Sequence, residues 1–583
     1  IMGEAVRQIN RHSEEEKLDI YSMPLDDART FALLSQGETA GVFQLESSGM
    51  RSILRDLKPT KFEDVIAVVA LYRPGPMEQI PVFIESKHGT RNIKYLHSDL
   101  EPILRETYGV IVYQEQIIEV AARMAGFTLG EADLLRRAIG KKKKEILGEQ
   151  RVKFIEGVEK TGYGRKMGEE LYNLIDKFAS YGFNKSHAAA YALIAYQTAY
   201  LKANYPVAFM AALLTGVMSS SEKVALYIAE CRRKGIEILP PDVNESDTNF
   251  TVVGENRIRF GLAAVKNVGR GAIETIIETR QKEGSFTSLH DFCSKVDLRT
   301  CNRKVIESLV KSGAFDSLGG MRSQYLSILD GALSYGHQVQ KDRQNGQISM
   351  FSYLGDGKSL NGVEDDFPDI PEFSAKEKLS LEKEVVGLYI SGHPLNQYRL
   401  ILENVNGILP IGELAEVGDR RQVFVAGMIN SIRVIYTKKG RPMCFLRIED
   451  LTGEVEVIVF SDIYEKYQQE LQEDRVVILS GQTDYKEEEE VKIICREITF
   501  LPREPRQFFI KICGERSVGE MVNLKDILSS FQGGTPVYLY FEESEKLLLT
   551  GQECWVREDE KLFARIEKLL GPDCLKMQQL ETS

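Results

Sequence analysis

Apolar residues recur at three- and four-residue spacing from about residue 31 to residue 220, as in Ile117-Ile118-Glu119-Val120-Ala121-Ala122-Arg123-Met124. That period predicts a region built mainly of helices. Arg73-Pro74-Gly75-Pro76 cannot continue a helix, Gly126 and Gly130 flank a Phe-Thr-Leu turn, and Asn204-Tyr205-Pro206 interrupts another long segment. After Pro240-Pro241 a short strand is expected at Ile258-Arg259-Phe260, then short helices to about Leu318. Residues 336–371, rich in Gly, Gln, Ser and Asp with weak periodicity, read as a linker. Beyond Pro394 the period falls to two. Residues 423–427, 443–448, 454–460 and 476–481 are strand candidates, with turn chemistry at Lys439-Gly440 and Thr452-Gly453 and one helix at 464–471. This pattern suits a small closed barrel of the OB type. From about 505 onward a strand pair alternates with helices. The expected class is multidomain α+β: mainly α-helical, with a helix-hairpin-helix unit, then an all-β OB barrel and a small α/β C-terminal domain.

A length of 583 residues argues for about four domains rather than one core. The formal charge of -12 argues against a simple basic nucleic-acid coat protein. No uninterrupted apolar run is long enough for a membrane span. The eight cysteines form no CxxC pair and the seven histidines no HExxH pair, so no metal-ligand set is expected and reduced cytosolic thiols are. The chain starts at Ile1 rather than Met and runs directly into a helical pattern, which reads as the interior of a longer protein.

The acidic total hides a basic patch. Residues 134–153 hold eight Lys or Arg against two Glu, a local charge of +6. In Leu134-Leu135-Arg136-Arg137-Ala138-Ile139-Gly140-Lys141-Lys142-Lys143-Lys144, residues Arg137, Lys141 and Lys144 share one helical face. Guanidinium and ammonium groups on one face suit a polyphosphate. A solvated face with Asp133 pairing Arg137 at i+4 is the other reading. Asn184 or Ser186 of Gly182-Phe183-Asn184-Lys185-Ser186-His187 can cap the Ala-rich helix that follows, and free amides beside Lys185 would form an anion-binding corner. A capped core helix would look the same. Val265-Lys266-Asn267-Val268-Gly269-Arg270-Gly271 suggests a helix, a Gly-x-Gly turn and a second helix, with a further unit around residues 309–315. Such glycines let backbone amides approach a DNA phosphate without reading sequence, although a plain αα-hairpin also fits. Gln347, Ile348, Ser349, Met350 and Phe351 place apolar anchors inside the linker, as a docking peptide would.

Together these segments resemble the C-family replicative DNA polymerases, the bacterial DNA polymerase III alpha subunits. The resemblance is carried by Gly41-Val42-Phe43-Gln44-Leu45-Glu46-Ser47, Arg73-Pro74-Gly75-Pro76, Tyr108-Gly109-Val110-Ile111-Val112-Tyr113-Gln114-Glu115-Gln116, Arg136-Arg137 and residues 181–191. It continues through Leu239-Pro240-Pro241-Asp242, the Gly-x-Gly unit and Gly387-Leu388-Tyr389-Ile390-Ser391-Gly392-His393-Pro394-Leu395. It implies the end of the palm and the fingers over residues 1–240 and tandem helix-hairpin-helix DNA binding over 241–335. A linker with a clamp-binding motif over 336–400, an OB domain over 401–503 and a tau-binding-like domain over 504–583 complete it. Arg136 and Arg137 match arginines that hold the triphosphate of a dNTP, with Lys141, Lys185, His187 and Arg73 near that pocket. Lys266, Gly269, Arg270 and Gly271 match the DNA grip, and Gln347, Ile348, Ser349, Met350 and Phe351 the sliding-clamp-binding pentapeptide.

The implied partners are primer-template DNA, dNTP, the sliding clamp (beta subunit), the clamp-loader tau subunit and a proofreading exonuclease subunit, in the bacterial cytoplasm at replication forks and without a membrane. The implied cofactor is Mg2+, held by carboxylates of a Pro-Asp-x-Asp-x-Asp-Phe segment. This sequence contains no Asp-x-Asp, and Asp365-Asp366-Phe367-Pro368-Asp369 has the wrong order. The expectation is therefore a C-terminal portion of such a subunit that lacks the catalytic Asp residues, the N-terminal phosphoesterase-like domain, the thumb and most of the palm, and that does not polymerise alone. The competing expectation is a stand-alone DNA-binding and clamp-tethering protein without catalysis.

Overall fold

The computed structural model describes residues 1–12, 17–141, 144–179, 182–344, 364–403, 405, 407–485, 491–503, 506–514 and 516–579. Two compact units are present, Ile1–Gly216 and Val217–Ser583.

The first unit is helical: α1 (Met2–His12), α2 (Ala28–Gln36), α3 (Ser48–Leu57), α4 (Phe62–Leu71), α5 (Ile80–Lys87), the one-turn α6 (Glu101–Leu104), α7 (Gln114–Ala125), α8 (Leu129–Lys141), α9 (Lys144–Lys160), α10 (Arg165–Ala179), α11 (Lys185–Asn204) and α12 (Pro206–Gly216). The breaks fall at the expected residues. Gly126 ends α7 at φ 68°, and α11 stops just before Tyr205-Pro206. Two apolar cores result. One gathers α2 to α5 around α11, whose buried Ala188, Ala192, Ala195 and Ala199 leave room for α4 and α2 to pack closely. Tyr196 of α11 accepts a hydrogen bond from the Asp27 amide at 2.9 Å, which ties the cap of α2 to this core. The other core joins α7 to α10 through Ile117, Met124, Leu135, Phe154 and Leu171.

The second unit starts with α13 (Ser221–Arg233) and a small sheet of β1 (Glu237–Leu239), β2 (Thr251–Val252) and β3 (Arg257–Arg259), ordered β1-β3-β2. Then come α14 (Arg270–Glu283), α15 (Leu289–Lys295), α16 (Arg303–Lys311), α17 (Arg322–Gln344) and α18 (Ala375–Val386). The stretch expected as a linker from 336 is thus helical to Gln344, because Gln340 bonds the carbonyls of Cys293 and Val296. From residue 364 the described chain packs back on this region. Asp365 accepts from the Leu289 and His290 amides at 2.8 and 3.1 Å and so caps α15, and Phe367 packs on Tyr325.

β4 (Gln422–Tyr436), β5 (Pro442–Glu449), β6 (Glu454–Val459), β7 (Val476–Asp484) and β8 (Lys492–Phe500) close a barrel in the order β4-β5-β6-β8-β7. Its alternating inward residues, among them Val425, Leu446, Val457, Leu479 and Ile493, are fully buried. Burial of each such side chain stabilises by about 1.5–3 kcal/mol. A last sheet combines β9 (Arg506–Ile512), a strand pair β11 (Val537–Phe541) and β12 (Lys546–Leu549), and β13 (Leu575–Gln579), with the short β10 (Gln532–Thr535) just before β11 and helices Val518–Ser530 and Glu560–Leu570 covering it. Among the described residues no helix is long and apolar enough to cross a membrane.

Candidate nucleotide and nucleic-acid sites

Three chain segments meet at one short parallel bridge between Tyr113 and Phe183. The Gln114 amide donates to the Phe183 carbonyl at 2.9 Å, and the Phe183 amide to the Val112 carbonyl at 3.1 Å. The starts of α7 and α11 are thereby held side by side.

α8 joins them through Arg136, whose Nη1 donates to Gln114 Oε1 at 2.6 Å while the Gln114 Nε2 donates to the Gly182 carbonyl at 2.8 Å. Asp133 sits one turn back and takes both arginines. Arg136 bonds its Oδ1 from Nε and Nη2 at 2.9 and 2.8 Å, and Arg137 meets its Oδ2 at 2.8 Å. The Arg136 hydrogen bond, outweighing a small burial penalty, holds the Asp133 carboxyl below its ordinary pKa. Arg137 remains the more open of the pair, with 64% of its side chain exposed against 22% for Arg136. The expected i+4 pairing of Asp133 with Arg137 is present, and Arg136 shares the same carboxylate. The backbone of Lys141 lies at the end of α8, and its side chain is outside the described residues.

Arg73 arrives from the loop after α4. Gly75 takes φ 99° there, a conformation that glycine adopts without strain. The Arg73 guanidinium stacks 4.0 Å above the Phe183 ring, its Nε donates to the Ala70 carbonyl at 2.9 Å, and burial lowers its pKa. His187 approaches the same ring edge-on at 5.3 Å and continues to Tyr191 at 4.6 Å. Arg73, Arg136, Lys185 and His187 are therefore gathered around Gln114 and Phe183.

The anion corner expected at the start of α11 is filled by the chain itself. Asn184 is the cap and accepts from the His187 amide at 2.9 Å, as foreseen. Glu115, however, accepts the Lys185 amide at 3.0 and 3.1 Å and the Asn184 side chain at 2.9 Å. A carboxylate from α7 thus satisfies the positive end of the helix. Lys185 Nζ pairs with Glu106 Oε2 at 2.6 Å, above the Tyr113 ring. The other oxygen of Glu106 and the Tyr113 hydroxyl are buried without a hydrogen-bond partner. Burial, aided by Glu106 and other nearby carboxylates, pushes the Tyr113 hydroxyl's pKa far up, so it stays a neutral donor. Gln114, Glu115 and Phe183 lay inside the motifs already quoted, but only the tertiary bridge reveals them as holders of the cations.

In the second unit Gly269 caps α14 at φ -76°, after Asn267 takes φ 68°. The segment before it is a short 3-10 turn, Leu262–Ala264, where a helix was expected. The amides of this turn and of Lys266 after it are spent on neighbouring carbonyls: Leu262 on Asp247, Ala263 on Thr248 and Lys266 on Val385. Methyl groups added at Gly269 and Gly271 would meet open space and, at 4.0 Å, only Thr300. The α14 start is therefore open to a ligand's backbone. Arg270 extends into solvent beside Glu274, whereas Lys266 Nζ bonds the Glu384 carbonyl at 3.3 Å near the end of α18. The further unit around Gly313 is closed, since Arg322 lies against it and binds both Asp316 at 2.8 Å and the fully buried Glu382 at 3.0 Å. Gln347, Ile348, Ser349, Met350 and Phe351 lie outside the described residues.

Residues 1–162 match the family described as the bacterial DNA polymerase III alpha subunit finger domain, and this stretch carries Arg73, Arg136 and Arg137. The DNA polymerase III subunit alpha of Halalkalibacterium halodurans is 42% identical over 574 residues, 97% of this chain and 50% of that protein. Those of Bacillus subtilis and Escherichia coli are 40% and 38% identical, each over 99% of this chain and 51% of the relative. The chain belongs to the family of bacterial DNA polymerase III alpha subunits. It spans about half the length of the curated relatives it matches. Two further regions of this polymerase-family chain have matches of their own, residues 235–325 to a helix-hairpin-helix motif and 423–501 to an OB-fold nucleic acid binding domain. The expected mainly helical fingers, hairpin unit and OB barrel are thus all present. Among the described residues no group of three or more His, Cys, Asp or Glu side chains is arranged to hold a metal ion.

Proposed function

We propose that this chain is a portion of a replicative DNA polymerase III alpha subunit that binds the dNTP triphosphate and grips primer-template DNA during DNA-directed DNA synthesis. The observation that carries the reading is the convergence of Arg73, Arg136, Lys185 and His187 on the Tyr113–Phe183 bridge, within the matched finger region or next to it. Arg137 of α8 would extend that cationic surface, and Lys141, whose side chain lies outside the described residues, is proposed as a further contact. Arg136 and Arg137 are held by Asp133, Lys185 by Glu106 and Arg73 by the Phe183 ring before any ligand arrives, which reduces the ordering cost of binding a phosphate chain. Asp133 and Glu106 would then be displaced partners, so that a triphosphate is preferred over weaker anions.

Gly269 and Gly271, with Arg270 and Lys266, would take a phosphate of duplex DNA, supported by the open start of α14. The segment Gln347, Ile348, Ser349, Met350 and Phe351 is proposed as the sliding-clamp anchor and residues 504–583 as the tau-binding part. A proofreading exonuclease subunit is a further partner under this reading. Mg2+ supplies charge neutralisation of the phosphates in polymerisation. The catalytic carboxylates that hold it are assigned to polypeptide other than this chain, in keeping with the missing Asp-x-Asp. The place of action is the bacterial cytoplasm.

Primer extension separates this reading from that of a stand-alone tether. Combined with the catalytic half of the subunit, the 583-residue chain should restore Mg2+-dependent extension that it does not support alone. Extension by the chain alone would contradict the division of labour, and none in the mixture would favour the tether.

A further inference from the structure

Between the barrel and the C-terminal sheet of the second unit lies a cleft of about 670 Å³ that the polymerase reading does not use. Its walls are fixed. Tyr398 Oη lies 2.8 and 3.0 Å from the carbonyls of Pro502 and Arg503, holding the chain that leaves β8. Gly534 of β10 presses so closely on the end of β8 that a Cβ there would stand 2.3 Å from the Phe500 carbonyl. Gly533 is wedged equally tightly against the Val556 and Arg557 backbone, and its amide bonds the Trp555 carbonyl at 2.9 Å.

Among the described residues that line this cleft, cations outnumber carboxylates. Lys466, Arg475, Arg503, Arg506 and Arg557 face Glu470, Glu497 and Glu558. Glu558 is engaged by Arg506 at 3.2 Å. Arg475 is part-buried: Nη2 donates to the Leu501 carbonyl at 3.1 Å, the guanidinium lies 5.5 Å from the Phe500 ring centre, and the buried Nε has no hydrogen-bond partner. Burial lowers its pKa, and Arg503 lowers it further by repulsion. Repelling guanidiniums with a buried donor left over are a poor arrangement for stability alone. They suit an anion with several oxygens, because each guanidinium offers parallel N–H groups to it.

We propose that this cleft binds a phosphate-bearing ligand, with Arg475, Arg503 and Arg557 as its contacts. The phosphate comes from a free polyphosphate or nucleotide, or from the backbone of a nucleic-acid strand. Tyr467 and Phe500, 5.7 Å apart at the rim, offer apolar surface for an attached base.

Hydrogen exchange read by mass spectrometry on the full chain locates the ligand, with inorganic pyrophosphate and a dT oligonucleotide as separate probes. Slowed exchange of residues 497–503 and 532–535 with pyrophosphate identifies a free polyphosphate, and slowing with the oligonucleotide alone identifies a strand phosphate. Either supports the proposal if Arg557→Gln raises the concentration needed by roughly tenfold. Arg557 is exposed, so its variant should fold even if Arg475→Gln, which alters packing on Phe500, does not. Unchanged exchange in both segments at saturating probe, or equal protection of wild type and Arg557→Gln, overturns it.

Discussion

Arg136 donates to Gln114 at 2.6 Å, and Gln114 in turn donates to the Gly182 carbonyl just before α11. One amide side chain thus couples the basic helix α8 to the start of α11. If Gln114 positions Arg136, Gln114→Leu in a polymerase assembled with its catalytic half should raise the KM for dNTP roughly three- to tenfold, with a smaller change in kcat and an unchanged Tm. Combined with Arg136→Ala it should add little, since the two act through one contact. Full additivity would show that Gln114 works independently of the arginine.

Asp64 is fully buried on α4 and receives Lys87 Nζ at 2.8 Å, the Thr60 amide at 2.9 Å and the Tyr108 hydroxyl at 2.8 Å. Burial alone would raise its pKa, but these donors hold it below the ordinary value. Lys87→Met removes one partner and leaves a buried charge, which should cost about 3–5 kcal/mol in denaturant unfolding of this region. A loss below about 1 kcal/mol would mean that the pair behaves like a solvated surface bridge.

His393 is buried and caps the turn after it by accepting from the Leu395 amide at 3.1 Å. Burial, with Arg232 and Lys383 nearby, pushes its pKa down to about 3. Because the unfolded histidine binds a proton near pH 6.5, stability from this residue is full above that pH and is lost as pH falls toward 3. The slope is roughly 1.4 kcal/mol per pH unit at most. Glu449, 3.8 Å away and raised by its own burial, acts in the opposite direction at the acid end. Comparison with His393→Asn isolates the histidine: urea unfolding between pH 7 and 5 should be flatter in the variant. Equal slopes would contradict the assignment.

Gly269 and Gly271 stand where added methyl groups meet open space or only Thr300. Alanine at both positions should leave the Tm within about a degree or two, while weakening duplex DNA binding roughly tenfold by blocking close approach to the amides. Fluorescence anisotropy at fixed salt reads this directly. A large fall in Tm with unchanged binding would make the glycines purely structural.

The sequence was most legible where a single period governs an element. The alternation at 443–448, 454–460 and 476–481 corresponds to β5, β6 and β7, and Asn184 caps α11 as its position suggested. β8 was not foreseen, because Arg496-Glu497 breaks its alternation at a register shift and an acidic run precedes it. β4 extends well past the expected 427, since its far end pairs with β5 alone on one edge and carries exposed Val434, Ile435 and Tyr436 that contribute little to the apolar pattern. At the cation cluster the basic residues and the Asp133–Arg137 pair were visible, but the counter-charges around Lys185 were not. Glu115 reaches Lys185 across 70 positions of sequence, and no local pattern encodes such a pairing.

The arginines of α8 are proposed to hold the triphosphate. Single-turnover incorporation of one dNTP, with the chain assembled alongside its catalytic half, gives the nucleotide Kd directly. Arg136→Ala and Arg137→Ala should each raise that Kd by roughly tenfold or more while primer-template affinity is preserved. An unchanged nucleotide Kd in both variants would return these arginines to an ordinary solvated helix face.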